Sequence, residues 1–70
     1  MMAFITRKIG EVANIKKVSE IQEMLMNNAT LLVAYPDATK DKSEEWLKTV
    51  DICRIELRRR HQVQEGMKNS

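Results

Sequence analysis

The chain has 70 residues and a net charge of +2, which indicates one small domain and is too little charge to identify a nucleic-acid partner by itself. A chain of this length buries only about 60% of the surface that its unfolded form exposes, so a monomer is marginally stable. Because one cysteine and one histidine exclude an internal disulfide and a four-ligand zinc site, oligomerisation is the remaining source of stability.

Residues 1–14 are predicted to form either a short helix or a flexible arm. Four apolar residues recur there at helical spacing: Met2, Ile5, Ile9 and Val12. Against a stable helix, Gly10 costs about 1 kcal/mol relative to Ala. Both alternatives therefore stay open.

Residues 15–35 form the second predicted element, a helix with Asn14 as its N-cap. Its broad apolar face is expected to supply half of a hairpin core: Ile15, Val18, Ile21, Leu25, Ala29, Leu32 and Val33. Met26 falls within the same arc. Residues 30–35 are also compatible with a buried strand, but the chain offers no partner strand for its backbone groups, which favours the helix.

Residues 36–42 are the predicted loop. Pro36 disfavours the α conformation of Tyr35 and so ends the preceding helix. A short polar connection between two long amphipathic helices makes them antiparallel neighbours. The next helix is expected to begin with Ser43 as its N-cap, and Asp41 is the alternative cap.

Residues 43–64 form the third predicted element, a helix with two apolar sides. One side is a narrow stripe that completes the hairpin core: Trp46, Val50, Cys53 and Leu57. Ile52, Ile55 and Val63 lie on roughly the opposite side. A helix with two apolar sides needs two neighbours.

The predicted fold is all-α, with an antiparallel helical hairpin over residues 15–65 and a frayed tail over 66–70 that begins at the helix-ending Gly66. Apolar residues outside the hairpin core form a predicted dimer face: Met24, Leu31, Ile52, Ile55 and Val63. A two-fold homodimer would bury this face in a four-helix bundle. In the alternative, the N-terminal segment covers the face in a monomeric three-helix bundle.

A basic cluster near the end of the third helix is the main candidate for contacts with a partner: Arg54, Arg58, Arg59, Arg60 and His61. Arginine forks bind phosphate and carboxylate well, so nucleic acid and an acidic protein are both candidate partners. The alternative is that these residues complement the negative end of the helix dipole while Glu56 pairs with Arg60.

No catalytic, metal or cofactor site is expected. Cys53 and His61 are eight residues apart, which is too far along one helix for proton sharing. The acidic residues near the loop lack the ligand spacing and central glycine of an EF-hand: Asp37, Asp41, Glu44 and Glu45. A chain of two or three helices also has little room for a ligand cavity, so we do not expect an enzyme.

The stretch from Ser43 to Arg60 follows a short loop and combines an acidic helix start, spaced apolar residues and a terminal ELRRR run. In this pattern it resembles small helical-hairpin regulators, of which the inhibitors of sporulation histidine kinases are one example. The resemblance covers only this stretch and carries over no functional residue.

These features predict a small non-enzymatic interaction module, a regulator or inhibitor of bacterial or phage type that binds a protein partner. A nucleic-acid-binding accessory protein is the alternative. No apolar run approaches the roughly 20 residues of a membrane span, and the N-terminus lacks the apolar segment of a secretory signal. With a lone cysteine, these observations favour the cytoplasm.

Overall fold

The computed structural model describes residues 2–68, and for residues 64–68 it describes the backbone only. The described residues form three α-helices and no strand: α1 (Met2–Ala13), α2 (Val18–Ala34) and α3 (Lys40–Lys68). The all-α prediction is therefore confirmed. Residues 30–34, for which a strand was the alternative, belong to α2.

The first helix forms although Gly10 lies in its interior. Val12 is buried and Ile5 packs against the core, whereas Met2 and Ile9 are exposed. The helix therefore contacts the rest of the chain through a narrower side than its apolar pattern predicts.

The predicted start of the second helix is wrong. The Asn14 N–H donates to the Gly10 carbonyl (3.2 Å), so Asn14 continues the hydrogen bonding of α1 instead of capping α2. Lys17 is extended (φ −93°, ψ 124°), and α2 begins after it at Val18 without a side-chain cap. Residues 15–17 are therefore a linker between the two helices.

The second helix ends at Ala34, two residues before Pro36. Tyr35 leaves the α region (φ −125°, ψ 68°) because Pro36 follows it. The Tyr35 N–H still donates to the Leu31 carbonyl at 3.0 Å, so the last turn of α2 stays hydrogen-bonded.

The third helix begins at Lys40, three residues before its predicted start. Thr39 is the capping residue, because its Oγ1 accepts a hydrogen bond from the Lys42 N–H at 3.3 Å. Ser43 and Asp41 lie inside the helix, so both predicted N-caps are wrong. The Ser43 hydroxyl instead donates to the Lys40 carbonyl at 3.0 Å.

The predicted helix stop at Gly66 is also wrong, because α3 continues through this residue to Lys68. The described backbone has no glycine with positive φ, and so lacks the left-handed turn with which glycine commonly ends a helix. Residues 69–70 of the predicted tail lie outside the described residues.

The hydrophobic core lies where the three helices meet, and it is small. Among the described side chains its buried part is Val12 from α1, Ile21 from α2, and Ile52 and Cys53 from α3. Partly buried residues pack around it: Ile5, Ile15, Met24, Leu25 and Leu57. Because α3 packs against both α1 and α2, part of its second apolar side, Ile52, is buried within one chain, whereas Ile55 and Val63 remain exposed.

Contacts at two distant points hold α2 alongside α3. Near the loop, the rings of Tyr35 and Trp46 have centroids 6.1 Å apart and planes inclined by 41°. At the far end of α3, Arg60 donates a hydrogen bond to the Ile15 carbonyl, just before α2 begins. These contacts accompany the packing of α2 against α3.

Candidate interaction surfaces

The structure divides the arginines of the predicted basic cluster into two that bind Glu56, Arg59 and Arg60, and an external pair that does not, Arg54 and Arg58. Arg59 and Arg60 both bind Glu56, about one helical turn earlier. Arg54 and Arg58 are exposed, and neither has an ion pair with a side chain in the described part of the chain. The cluster is therefore not one continuous site.

Glu56 is a buried carboxylate with two arginine partners. Its Oε2 accepts hydrogen bonds from Arg59 Nη2 and Arg60 Nε, both at 2.7 Å, and its Oε1 accepts one from Arg59 Nε at 3.1 Å. The hydrogen bonds from Arg59, helped by those from Arg60, lower the pKa of Glu56 below its ordinary value of 4.5 although burial acts in the opposite direction. Glu56 is therefore ionised at neutral pH.

Arg60 connects α3 to the end of α1. Its Nη2 donates to the Ala13 carbonyl (3.3 Å) and to the Ile15 carbonyl. The last carbonyls of a helix have no partner within that helix, and the guanidinium satisfies one of them, that of Ala13, together with the linker carbonyl of Ile15. The Arg60 side chain is 18% exposed, compared with 59% for Arg59. The Glu56–Arg60 pair expected from the i, i+4 spacing is thus present, and Arg60 stabilises the fold.

The external pair lies beside a groove on the outer side of α3. Asp51, Arg54, Ile55, Leu57 and Arg58 line this open groove, which has a volume of about 650 Å³. The Ile55 side chain is 68% exposed. The groove therefore presents cationic, anionic and apolar groups together.

The residues of the predicted dimer face do not form one surface. Ile52 is buried in the core, Met24 packs against that core and Leu31 is half-buried. Only Ile55 and Val63 are exposed. The reason is that the core shared with α1 and α2 covers the side of α3 that carries Ile52.

The residues of the predicted hairpin core are mostly shielded from solvent. Ile21 and Cys53 are buried. Seven others are half-buried: Ile15, Leu25, Ala29, Leu32, Trp46, Val50 and Leu57. Val18 is exposed, because it is the first residue of α2 and lies at the end of the helix pair.

An exposed apolar surface on α2 occupies positions that the sequence pattern assigned to the hairpin core. Met26 and Val33 are 62% and 82% exposed. With their neighbours at helical spacing they form a surface that we call the apolar α2 face: Met26, Ala29, Thr30, Val33 and Ala34. Val33 follows Leu32 by about 100° around the helix, and Leu32 is half-buried whereas Val33 lies on the exposed side.

A sequence signal for this surface does exist. Residues 24–35 contain no charged side chain, whereas a helix with one buried side normally carries charges on the other. A run without charges over three helical turns indicates that more than one side of the helix avoids water.

The two side chains considered for proton sharing, Cys53 and His61, lie in different surroundings. Cys53 is fully buried, and burial raises the pKa of its thiol, which makes it a poor nucleophile. His61 is exposed on α3. Glu44, one of the acids near the loop, lies 4.0 Å from the Lys40 ammonium. The part of the chain that the structure describes has no group of three or more His, Cys, Asp or Glu side chains placed to hold a metal ion.

Within the described residues, no helix combines the length and the apolar character needed to cross a membrane. Comparisons with known proteins found no match to a family model, to a curated protein or to a solved structure.

Proposed function

We propose that this chain is a small non-enzymatic interaction module that binds a protein partner through the apolar α2 face. The observation that carries the proposal is the exposure of Met26 and Val33 within a stretch that has no charged residue. Contiguous exposed apolar surface of this kind marks interaction sites in soluble proteins.

The composition of the apolar α2 face suits a helical partner. Ala29, Thr30 and Ala34 are small, so the backbone of a second helix can approach closely between Met26 and Val33. The Thr30 hydroxyl donates to the Met26 carbonyl at 2.8 Å, which satisfies the hydroxyl within α2 and leaves the Thr30 methyl group for apolar contact. We therefore expect the partner to present an apolar helix stripe.

Self-association is part of the proposal, because the chain is more extended than a compact monomer. Its radius of gyration is 13.7 Å, compared with about 11 Å for a compact chain of 70 residues. It exposes 5553 Å², whereas a compact monomer of this mass exposes roughly 4,500 Å². The difference is similar to the roughly 800 Å² that each partner buries in a standard interface. We propose a homodimer in which the α2–α3 hairpin takes part.

We place the protein among small regulators or inhibitors that act by occupying the surface of a partner, of bacterial or phage type, in the cytoplasm. The free and buried thiol of Cys53 is compatible with a reducing compartment. Nucleic-acid binding is the weaker alternative, because Arg59 and Arg60 already bind Glu56, which leaves only Arg54 and Arg58 without a carboxylate partner among the described side chains.

The test is affinity capture from an extract of the cells that make the protein, followed by direct titration of each captured protein. Val33→Lys places a charge in the apolar α2 face and should weaken binding of the true partner about tenfold or more. Thr6→Lys adds the same charge at an exposed position of α1 and is the matched control. A partner that binds the parent chain and the control but not Val33→Lys supports the proposal. Equal binding to all three chains contradicts it.

A further inference from the structure

The outer side of α3 carries a stripe of exposed and half-exposed residues that neither α1 nor α2 covers. We call it the outer α3 stripe, and it consists of Glu44, Leu47, Asp51, Arg54, Ile55 and Arg58. At 100° per residue these positions fall within an arc of about 100°. Leu47 is 47% exposed, and Ile55 is the most exposed apolar residue among the described side chains of α3. The groove described above forms the C-terminal half of this stripe.

The order of residues along the stripe is self-complementary. Acids occupy its N-terminal half and its centre, arginines occupy its C-terminal half, and each half contains one apolar residue. Glu44 and Arg58 each lie seven residues from Asp51, and Leu47 and Ile55 each lie four residues from it. A single antiparallel register centred on Asp51 therefore aligns Glu44 with Arg58, which have opposite charges, and Leu47 with Ile55, which are both apolar.

We propose that a second copy of this chain docks on the outer α3 stripe, with the two α3 helices antiparallel about a two-fold axis at Asp51. Glu44 then pairs with Arg58 of the second copy, and Leu47 packs against Ile55 of the second copy. The two-fold axis makes each of these contacts twice. This inference rests on the self-association part of the proposed function and names the surface that mediates it.

The two Asp51 carboxylates meet at the axis, which alone would oppose pairing. Arg54 lies three residues from Asp51, about 4.5 Å along the helix axis, so its long side chain can reach Asp51 of the second copy across the helix pair. Arg54 has no carboxylate partner among the described side chains, and pairing supplies one. The charge at the axis is thus balanced by two arginines.

The size of the contact predicts a weak dimer. Residues 44–58 span about 21 Å of helix, and a contact between two helices of this length lies at the small end of specific interfaces. We expect dissociation in the micromolar range. The apolar α2 face lies outside the contact, so a dimer would present two copies of it.

The experiment is sedimentation equilibrium across a concentration series up to about 1 mM, at low salt and at 0.5 M salt. Arg58→Glu and Glu44→Arg should each raise the dissociation constant about tenfold or more, because each places like charges together twice. The double variant Glu44→Arg/Arg58→Glu restores opposite charges and should return to within about threefold of the parent value. High salt should weaken the parent dimer, since exposed ion pairs are screened.

Two controls separate the contact from effects on folding and net charge. Lys16→Glu changes the net charge as Arg58→Glu does, at an exposed residue outside the stripe, and should leave the dimer unchanged. Ile55→Ser removes apolar contact without changing charge and should weaken the dimer. Circular dichroism must show a folded helical chain for each variant that is compared.

Several outcomes overturn the inference. If the chain is monomeric at 1 mM, both the outer α3 contact and the proposed homodimer are contradicted. The proposal that the apolar α2 face binds a partner is not affected by this result. If the chain dimerises but no stripe variant raises the dissociation constant, the dimer uses another surface. The same conclusion follows if the double variant has a dissociation constant as high as those of the single variants. A monomer that binds a 20-base-pair DNA duplex, and loses that binding in Arg58→Glu, would assign the stripe to phosphate.

Discussion

The inward and outward sides of α3 carry the same kinds of residue in different surroundings. The inward side has Ile52 in the core and the Glu56–Arg60 pair beside it. The outward side has Ile55 and Arg58, both exposed. The two isoleucines are three residues apart and the two arginines are two residues apart, yet one of each stabilises the fold while the other remains on the surface. The position of α1 and α2 decides which. Substitutions on the inward side should therefore lower the free energy of unfolding, whereas substitutions on the outward side should change it little.

The largest expected difference comes from the two isoleucines. Ile52→Ala removes three methyl or methylene groups from a small core and should destabilise the chain by about 3 kcal/mol. Ile55→Ala should change stability by about 0.5 kcal/mol or less, because its side chain is 68% exposed. Urea unfolding in dilute solution measures both. Similar losses for the two variants would contradict the assignment of the two sides.

The two sides also predict different losses for their arginines. Arg60→Ala leaves the Ala13 and Ile15 carbonyls without a guanidinium partner and should cost about 2 kcal/mol. Arg58→Ala should cost about 0.5 kcal/mol or less. Hydrogen exchange adds a local measurement, since α1 amides should exchange faster in Arg60→Ala alone. Unchanged protection of α1 would show that Arg60 does not hold this helix.

The Glu56 network predicts how stability depends on pH. The folded-state pKa of Glu56 lies below 4.5, so its contribution is fully present above that value and is lost as the pH falls through the folded-state pKa. We expect Glu56→Gln to be less stable than the parent chain by roughly 1–2 kcal/mol at pH 7 and to approach it at strongly acid pH. Glu23→Gln is the exposed control and should show little difference at either pH. A constant gap between Glu56→Gln and the parent would mean that the carboxylate charge is not responsible.

The smallest effect concerns α1, which covers part of the inward side. A Cβ added at Gly10 meets no atom within 4 Å, so Gly10→Ala should stabilise the helix by about 0.5–1 kcal/mol. The melting temperature should rise by roughly 2–8 °C in a domain of this size. A lower melting temperature would indicate that α1 is not helical at this residue in solution.

The helical class of the fold follows from local features of the chain. Apolar spacing near 3.6 residues and the interruption at Pro36 each involve residues close together in the chain. The strand alternative for residues 30–35 failed because no other segment has the pattern of a partner strand. The Glu56–Arg60 pair is local in the same way, because one helical turn brings the two side chains together. Such features can be predicted because they need no knowledge of where the other helices lie.

The helix ends were predicted less well because neighbouring residues compete for the same role. Thr39, Asp41 and Ser43 can each cap a helix, and the chain uses Thr39. Asn14 is a good cap by residue type, yet its N–H completes α1. Small differences in local hydrogen bonding decide between such candidates, and residue type alone does not measure them.

The candidate surfaces depend on packing between helices distant in sequence. The apolar pattern showed that α3 needs two neighbours, but Ile52 and Ile55 looked equivalent in it. Their difference arises because a helix covers only one side of its neighbour, and docking of α1 and α2 places Ile52 inside and Ile55 outside. The same docking engages the Arg60 side chain in contacts with Glu56 and the Ala13 carbonyl, and leaves Val33 exposed. Sequence periodicity therefore determined the helices and their apolar sides, while tertiary packing determined which of those sides remain available to a partner.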